Sequence, residues 1–307
     1  MLTTVTLNAA VDTTYSVENF ALDQVNRVGS KQALPGGKGI NVARIANTLG
    51  AKVQATGFVA GQNGKFIQHE LVREGIRNSF LEVAGESRVC LAIIDPVANT
   101  QTELLESGPS IPQEVFDSFA KHLLSITAEG SLVVFSGSLP GGLDSDAYAK
   151  LIEMLPEKKV ILDTSGPALK AGIAARPFMV KPNEDELAAL FGKPVGDIPQ
   201  VLEAGEKILQ RGVEVVVISL GARGAVAMQG CEKYLATPPR LQPVSTVGCG
   251  DSLVAGMAVS FLRGESLADA LRMGSASGAA NALVPGAGQA RLEDIKRILP
   301  QVKIEQL

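Results

Sequence analysis

Histidine is nearly missing from this chain of 307 residues: there are two, His69 and His122. Both fall in helix-like, partly charged stretches, where a solvated surface histidine is expected. No HxH, HExxH or CxxC spacing occurs, which argues against a zinc site. Neither histidine lies near a nucleophile motif, so a histidine-based triad has no support. Base chemistry in this chain therefore falls to a carboxylate. Cysteine is also scarce. Cys90, Cys231 and Cys249 are odd in number and far apart, which fits a reducing cytoplasm and no disulfide framework. No block of Lys and Arg appears, and the net charge is −4. A nucleic-acid or anionic-membrane surface is not expected, and any anionic ligand must be held by local features. No apolar run approaches the ~20 residues of a membrane-spanning helix. The opening Met1-Leu2-Thr3-Thr4 does not read as a signal peptide. The expectation is a cytoplasmic protein.

What is present is enough apolar material for a large core, 46% hydrophobic residues with a mean hydropathy of +0.19. Short β-branched runs at 5–7, 53–59, 132–135, 160–162, 178–180 and 213–219 read as buried strands. Helix-like segments lie between them at 39–49, 65–74, 113–125, 146–155, 184–191 and 198–211. The alternation predicts an α/β fold with a mostly parallel sheet and helices on both faces. Two regions break the rhythm. Residues 12–34 and 88–106 carry strand-like pieces without helix, which together predict a small extra sheet, separate from the main one. Its open edge would need to cover a site or pair with another subunit.

The stretch Thr246-Val247-Gly248-Cys249-Gly250-Asp251-Ser252 precedes an uncharged apolar segment, 253–262, that reads as a fully buried helix. Two glycines at its mouth let the backbone amides of Gly248, Cys249 and Gly250 turn toward an anion. Asp251 stands beside them. Amides that stabilise a moving phosphoryl group, next to a carboxylate that takes a hydroxyl proton, are what phosphoryl transfer requires. An ordinary N-cap would use the same residues.

Other polar residues follow strands, where ligands bind in open α/β sheets. Gly36-Gly37-Lys38-Gly39-Ile40-Asn41 opens a helix but fails the Walker pattern, because Gly39 and not Ser or Thr follows Lys38. It allows close approach of a small polar ligand, with Asn41 available to hydroxyls; a glycine turn with a solvated lysine fits equally. Asn183-Glu184-Asp185-Glu186 starts a helix with a dense acidic turn. It serves either as a cap that complements the helix dipole or as an outer shell for Mg²⁺. A run of small residues at 274–280 reads as a closely packed helix, followed by Asn281.

In order along the chain, Asp12, GGKGIN at 36–41, Arg88, SGSLP at 136–140, KPN at 181–183, SLGARGA at 219–225 and TVGCGD at 246–251 resemble the PfkB family of ribokinase-like carbohydrate kinases. The resemblance covers essentially the whole chain. It is most similar to the branch containing 1-phosphofructokinase and tagatose-6-phosphate kinase. It implies a single ribokinase-like domain over 1–307 with a discontinuous β lid at about 12–34 and 88–106. It also implies ATP-dependent phosphorylation of a ketohexose monophosphate to a 1,6-bisphosphate. Asp251 would be the catalytic base, with the Gly248, Cys249 and Gly250 amides as anion hole. Asp12, Gly37 and Asn41 would hold sugar hydroxyls; Arg27, Lys38, Arg88 and Ser138 would hold the sugar phosphate. Asn183 and Glu186 match an NxxE motif near Mg²⁺ and the ATP phosphates. Lys181, Ser219, Gly221, Gly224 and Asn281 would line the nucleotide site, and a homodimer would form through the lid. Cys249 stands where the family usually has Ala, and Ala9-Ala10 where a Pro-Ser-like pair is common. The alternatives are a kinase of an unphosphorylated sugar or nucleoside, and a sugar-phosphate-binding regulator on the same fold.

Overall fold

The computed structural model describes residues 1–127 and 131–307. Its central sheet runs, from one edge, through Lys303–Gln306, Glu232–Thr237, Ala225–Gln229, Val215–Ser219, Met179–Val180, Lys159–Asp163, Leu132–Ser136, Leu2–Thr6, Val53–Ala60 and Arg77–Asn78. The short strand Leu81–Val83 also pairs with Val53–Ala60. All pairs from Val215–Ser219 to Arg77–Asn78 are parallel; the last three strands at the other edge are antiparallel. The predicted α/β architecture is therefore present, with helices packed on both faces.

The strands sort their side chains with period two, as a sheet covered on both faces requires. Val134, Ile161, Val215 and Val217 face one core, shared with Ile40 and Ile45 of Lys38–Thr48 and with Val254 and Met257 of Cys249–Leu262. Val133, Phe135, Val160, Leu162, Val216 and Ile218 face the other, with Phe119, Tyr148, Leu169 and Ile208 from the helices on that side. The helix Cys249–Leu262 is buried continuously from Asp251 to Ser260. It packs on Leu267–Asn281 at glycine distance: a Cβ on Gly256 would stand 2.7 Å from the Gly274 Cα.

A second sheet of four strands has the order Ser30–Gly36, Ala10–Ser16, Arg88–Asp95, Thr100–Leu105. The two inner strands are parallel, and each outer strand is antiparallel to its neighbour. This is the separate small sheet expected from 12–34 and 88–106. Its edge strand Thr100–Leu105 is exposed at every residue.

Differences from the sequence reading fall at the margins. The first strand is Leu2–Thr6, three residues ahead of the expected start, and it ends one residue early because Leu7 begins the turn that carries Asn8. The helices Gly166–Ala174 and Leu292–Ile298, and the strands Glu232–Thr237 and Lys303–Gln306, were not expected. Lys303–Gln306 is mostly exposed and polar, so it lacks the alternation that marks a strand.

Candidate active site

The carboxyl ends of the parallel strands and one face of the small sheet enclose a cleft of about 1370 Å³. At its floor, the loop before Cys249–Leu262 turns through Gly248, which has φ +80°. A Cβ there would be 2.8 Å from the Ala287 Cα and 2.9 Å from the Gly288 nitrogen, so conformation and space both demand glycine. The Cys249 amide turns back to the Thr246 carbonyl at 3.3 Å. The amides of Gly248 and Gly250 have no hydrogen-bond partner among the described residues. Two of the three expected anion-binding amides are thus free, and the Cys249 amide is already engaged.

Asp251, in the first turn of that helix, is buried, and its Oδ2 accepts a 2.8 Å hydrogen bond from Asn41 Nδ2. Burial pushes its carboxyl up to about 6. Lys38, the Asn41 hydrogen bond and Lys181 oppose that rise, while Asp163 adds to it. A carboxylate at about 6 is ionised at neutral pH yet basic enough to accept a proton. Asn41, expected to meet sugar hydroxyls, lines the cleft and also holds the Asp251 carboxylate.

No role was assigned to Asp163 from the sequence. It ends the strand Lys159–Asp163 with no exposed surface, and it pairs with Lys181 Nζ at 3.1 Å and Lys38 Nζ at 3.4 Å. Ser136 Oγ donates to it at 3.2 Å. Burial would raise its carboxyl, but Lys181 and then Lys38 outweigh burial and hold it below its ordinary value. In return Asp163, ahead of burial, holds the Lys38 ammonium well above its ordinary range. Lys38 therefore stays charged in the cleft, and Lys181 Nζ would stand 3.5 Å from a Cβ on Gly250. The visible signal was an acid at the end of an apolar strand.

The small sheet supplies the opposite wall. Asp12, Thr14, Gln32, Leu34, Arg88, Cys90, Ala92, Ile94, Gln101, Glu103 and Leu105, mostly alternate positions on paired strands, line the cleft, with Thr13 and Leu91 between them. The Asp12 carboxyl fills the space where a Gly36 side chain would be, 2.1 Å from Cγ to the missing Cβ. Burial raises its pKa, and Arg44, Arg88 and the Gly37 amide oppose that. Arg88 is steadied by the carbonyls of Asn8 at 3.3 Å and Glu106 at 3.4 Å. Gly37 and Lys38 join this wall. Ser138 and Arg27 do not. Ser138 is exposed and accepts from Asn8 Nδ2 at 3.4 Å, and Arg27 is exposed in the connection between two small-sheet strands.

Across the anion loop, Lys181, Asn183, Ser219, Gly221 and Gly224 line the other half of the cleft, as expected. The end of the Ala225–Gln229/Glu232–Thr237 hairpin adds Thr237, Pro238 and Arg240, and the helix Leu267–Asn281 adds Ala279. None of these four was foreseen, since their roles come from packing and not from a local motif. Asn281 lies elsewhere: it is fully buried behind the loop, donating to the Val247 carbonyl at 2.8 Å and accepting from the Gln289 amide at 3.2 Å. Its task is to hold the loop. Asn183 and Glu186 form a capping box, Glu186 N to Asn183 Oδ1 at 2.8 Å and Asn183 N to Glu186 Oε2 at 2.9 Å. Glu186 Oε1 has no partner among the described residues. Among them, no group of three or more His, Cys, Asp or Glu is placed to hold a metal directly. No described helix is long and apolar enough to cross a membrane. The two histidines are remote from this chemistry, His122 bonded to Ser79 and His69 exposed beside Glu70.

The chain matches the model of the pfkB family carbohydrate kinases over residues 5–294. It is 35% identical over 309 residues to a tagatose-6-phosphate kinase of Staphylococcus epidermidis, covering 99% of each chain. Among solved structures, phosphofructokinase-2 of Escherichia coli in complex with potassium superposes with a TM-score of 0.93 at 29% identity, covering 98% of both chains. A protein described as a possible 1-phosphofructokinase of Thermotoga maritima superposes with a TM-score of 0.90 at 28% identity, over 100% of this chain and 99% of the other.

Proposed function

The chain belongs to the pfkB family of carbohydrate kinases, and we propose that it transfers the γ-phosphoryl group of ATP to a primary hydroxyl of a ketohexose monophosphate, giving a 1,6-bisphosphate. The observation that carries this reading is the position of Asp251. It is a buried carboxylate beside free loop amides, between a wall with Asp12 and Arg88 and a wall with Lys181, Asn183 and Ser219.

In this reading Asp12 accepts sugar hydroxyls, while Arg88 and Lys38 meet the sugar phosphate. An acidic protein needs such placed cations for an anionic substrate. Asp251 takes the proton as the hydroxyl oxygen bonds to the γ-phosphorus, and the bond from that phosphorus to the ADP oxygen breaks. The Gly248 and Gly250 amides, the helix N-terminus and Lys181 balance charge on the phosphoryl oxygens. Magnesium arrives with ATP as part of the substrate. A capped Glu186 with one free oxygen suits an ion that keeps its waters better than direct ligation. The small sheet acts as a lid that keeps water from ATP. Its exposed edge strand, with Leu104 and Leu105 uncovered, supports pairing of two copies through the lid.

The test is ADP release from Mg-ATP with tagatose 6-phosphate, fructose 1-phosphate, fructose 6-phosphate and free fructose. A kcat/KM of at least ~10⁴ M⁻¹s⁻¹ on one phosphorylated ketohexose is expected. Turnover of free fructose alone would remove Arg88 and Lys38 from substrate binding and overturn the reading.

A further inference from the structure

Arg44 does not line the cleft, yet it is a buried cation, 7% exposed, directly beneath it. It sits in the helix Lys38–Thr48, one turn from Asn41 and so on the same face. Its guanidinium is satisfied from four directions. Nε donates to Glu74 Oε2 at 2.8 Å, Nη2 to the Pro35 carbonyl at 2.9 Å, and Nη1 to the Ala287 carbonyl at 3.2 Å and Asn41 Oδ1 at 3.4 Å. These partners belong to separate parts of the fold: the cap of Gly61–Arg73, the end of a small-sheet strand, and the loop that packs on Gly248.

We infer that Arg44 is a positioning residue for the base, acting through Asn41 and anchored by Glu74. An amide has two orientations, and here only one agrees with its neighbours. With Oδ1 toward the guanidinium, Nδ2 must face Asp251. The flipped amide would turn its NH₂ to a cation and its oxygen to a carboxylate. Arg44 therefore fixes the donor that holds Asp251 Oδ2 at 2.8 Å. The same charge favours the ionised form of Asp12, against its burial, more than any other group near it. One buried arginine thus prepares the base and the sugar-binding acid together. The Ala287 bond presses the neighbouring loop against Gly248 and Asn41, where Gly288 leaves no room for a Cβ, 2.9 Å from the Asn41 Cα.

The inference rests on the kinase reading, and the experiment separates the two. Arg44→Lys keeps the charge but not the fork that reaches Asn41, Pro35 and Ala287 at once. With Mg-ATP and the best sugar phosphate from the panel, kcat should fall 10- to 100-fold, while KM for ATP stays within about twofold. The acid limb of kcat/KM should move to higher pH, because the Asn41 bond favours ionised Asp251; Lys38, Lys181 and Asp163, the other charged groups facing it, are unchanged. Asn41→Ala should lose at least as much, and the double variant should lose no more than Asn41→Ala alone. If Arg44→Lys does not fold by circular dichroism, Glu74→Gln takes its place. It is expected to show a smaller kcat loss that also vanishes on the Asn41→Ala background. Losses that multiply in the double variant, or a variant with normal kcat and an unmoved acid limb, overturn the inference. Asp251→Asn run alongside keeps the outcomes apart: full turnover there would sink the kinase reading itself.

Discussion

The charges around Asp251 make its proton affinity adjustable in opposite directions. With a carboxyl at about 6, roughly nine-tenths of the protein is competent as a base at pH 7 and roughly a tenth at pH 5. kcat/KM for the sugar phosphate should therefore fall about tenfold per pH unit below 6. The substrate phosphate also ionises near pH 6, so the wild-type limb alone does not assign the group. Variants do, because they move the enzyme's limb and not the substrate's. Lys38 is the foremost charge that favours ionised Asp251, so Lys38→Met should move the limb upward. Asp163 opposes ionisation of Asp251, so Asp163→Asn should move it downward. Each pH unit of displacement is a tenfold difference in rate on the acid side, or about 1.4 kcal/mol. The assay is steady-state ADP release from pH 4.5 to 8 at saturating Mg-ATP. A loss of sugar-phosphate affinity in Lys38→Met changes the height of the profile, not the position of its limb. If both limbs move the same way, or neither moves, Asp251 is not the group that titrates.

Further outcomes follow from the same geometry. Gly248→Ala forces a side chain into the left-handed region, at about 1–2 kcal/mol, and against Ala287. The displaced amide should lower kcat by roughly 10²-fold or more in the same ADP-release assay. Burial disfavours ionised Asp251, so its charge weakens the fold progressively as pH rises from about 4 through 6. Asp251→Asn should accordingly raise Tm at pH 8 in a thermal melt, by an amount worth about 1–3 kcal/mol; an unchanged or lower Tm would contradict the burial argument. Arg88→Ala should raise KM for the phosphorylated ketohexose 10- to 100-fold, the worth of a charged hydrogen bond, and leave KM for ATP alone.

The sequence carried the parts of this site that are local in the chain. Gly248 and Asp251 could be placed because a glycine loop opening onto an uncharged helix has a defined physical use. The small sheet could be placed because 12–34 and 88–106 lack helical periodicity. The roles of Asp163 and Arg44 depend on convergence of distant segments. Asp163 meets a lysine 125 residues before it, and Arg44 reaches a carbonyl 243 residues after it. An acid closing an apolar strand is visible in the sequence, but the partners of both residues are not. Asn41 was read as a ligand contact, and it lines the cleft, but its bond to Asp251, 210 residues away, cannot be seen in a motif. Asn183 and Glu186 show the opposite case. The capping box explains their spacing completely, so the pattern alone did not distinguish a cap from an ion site. Arg27 and Ser138, carried over by resemblance, lie outside the cleft wall of this chain.

In the proposed mechanism Asp251 takes a proton during phosphoryl transfer. Asp251→Asn keeps the shape and can still bond Asn41, but its amide accepts no proton. ADP release with Mg-ATP and the preferred ketohexose phosphate should fall 10²- to 10⁴-fold, with ATP affinity by calorimetry unchanged within about threefold. Turnover near the wild-type level in a folded, ATP-binding Asp251→Asn protein would show that Asp251 is not the base.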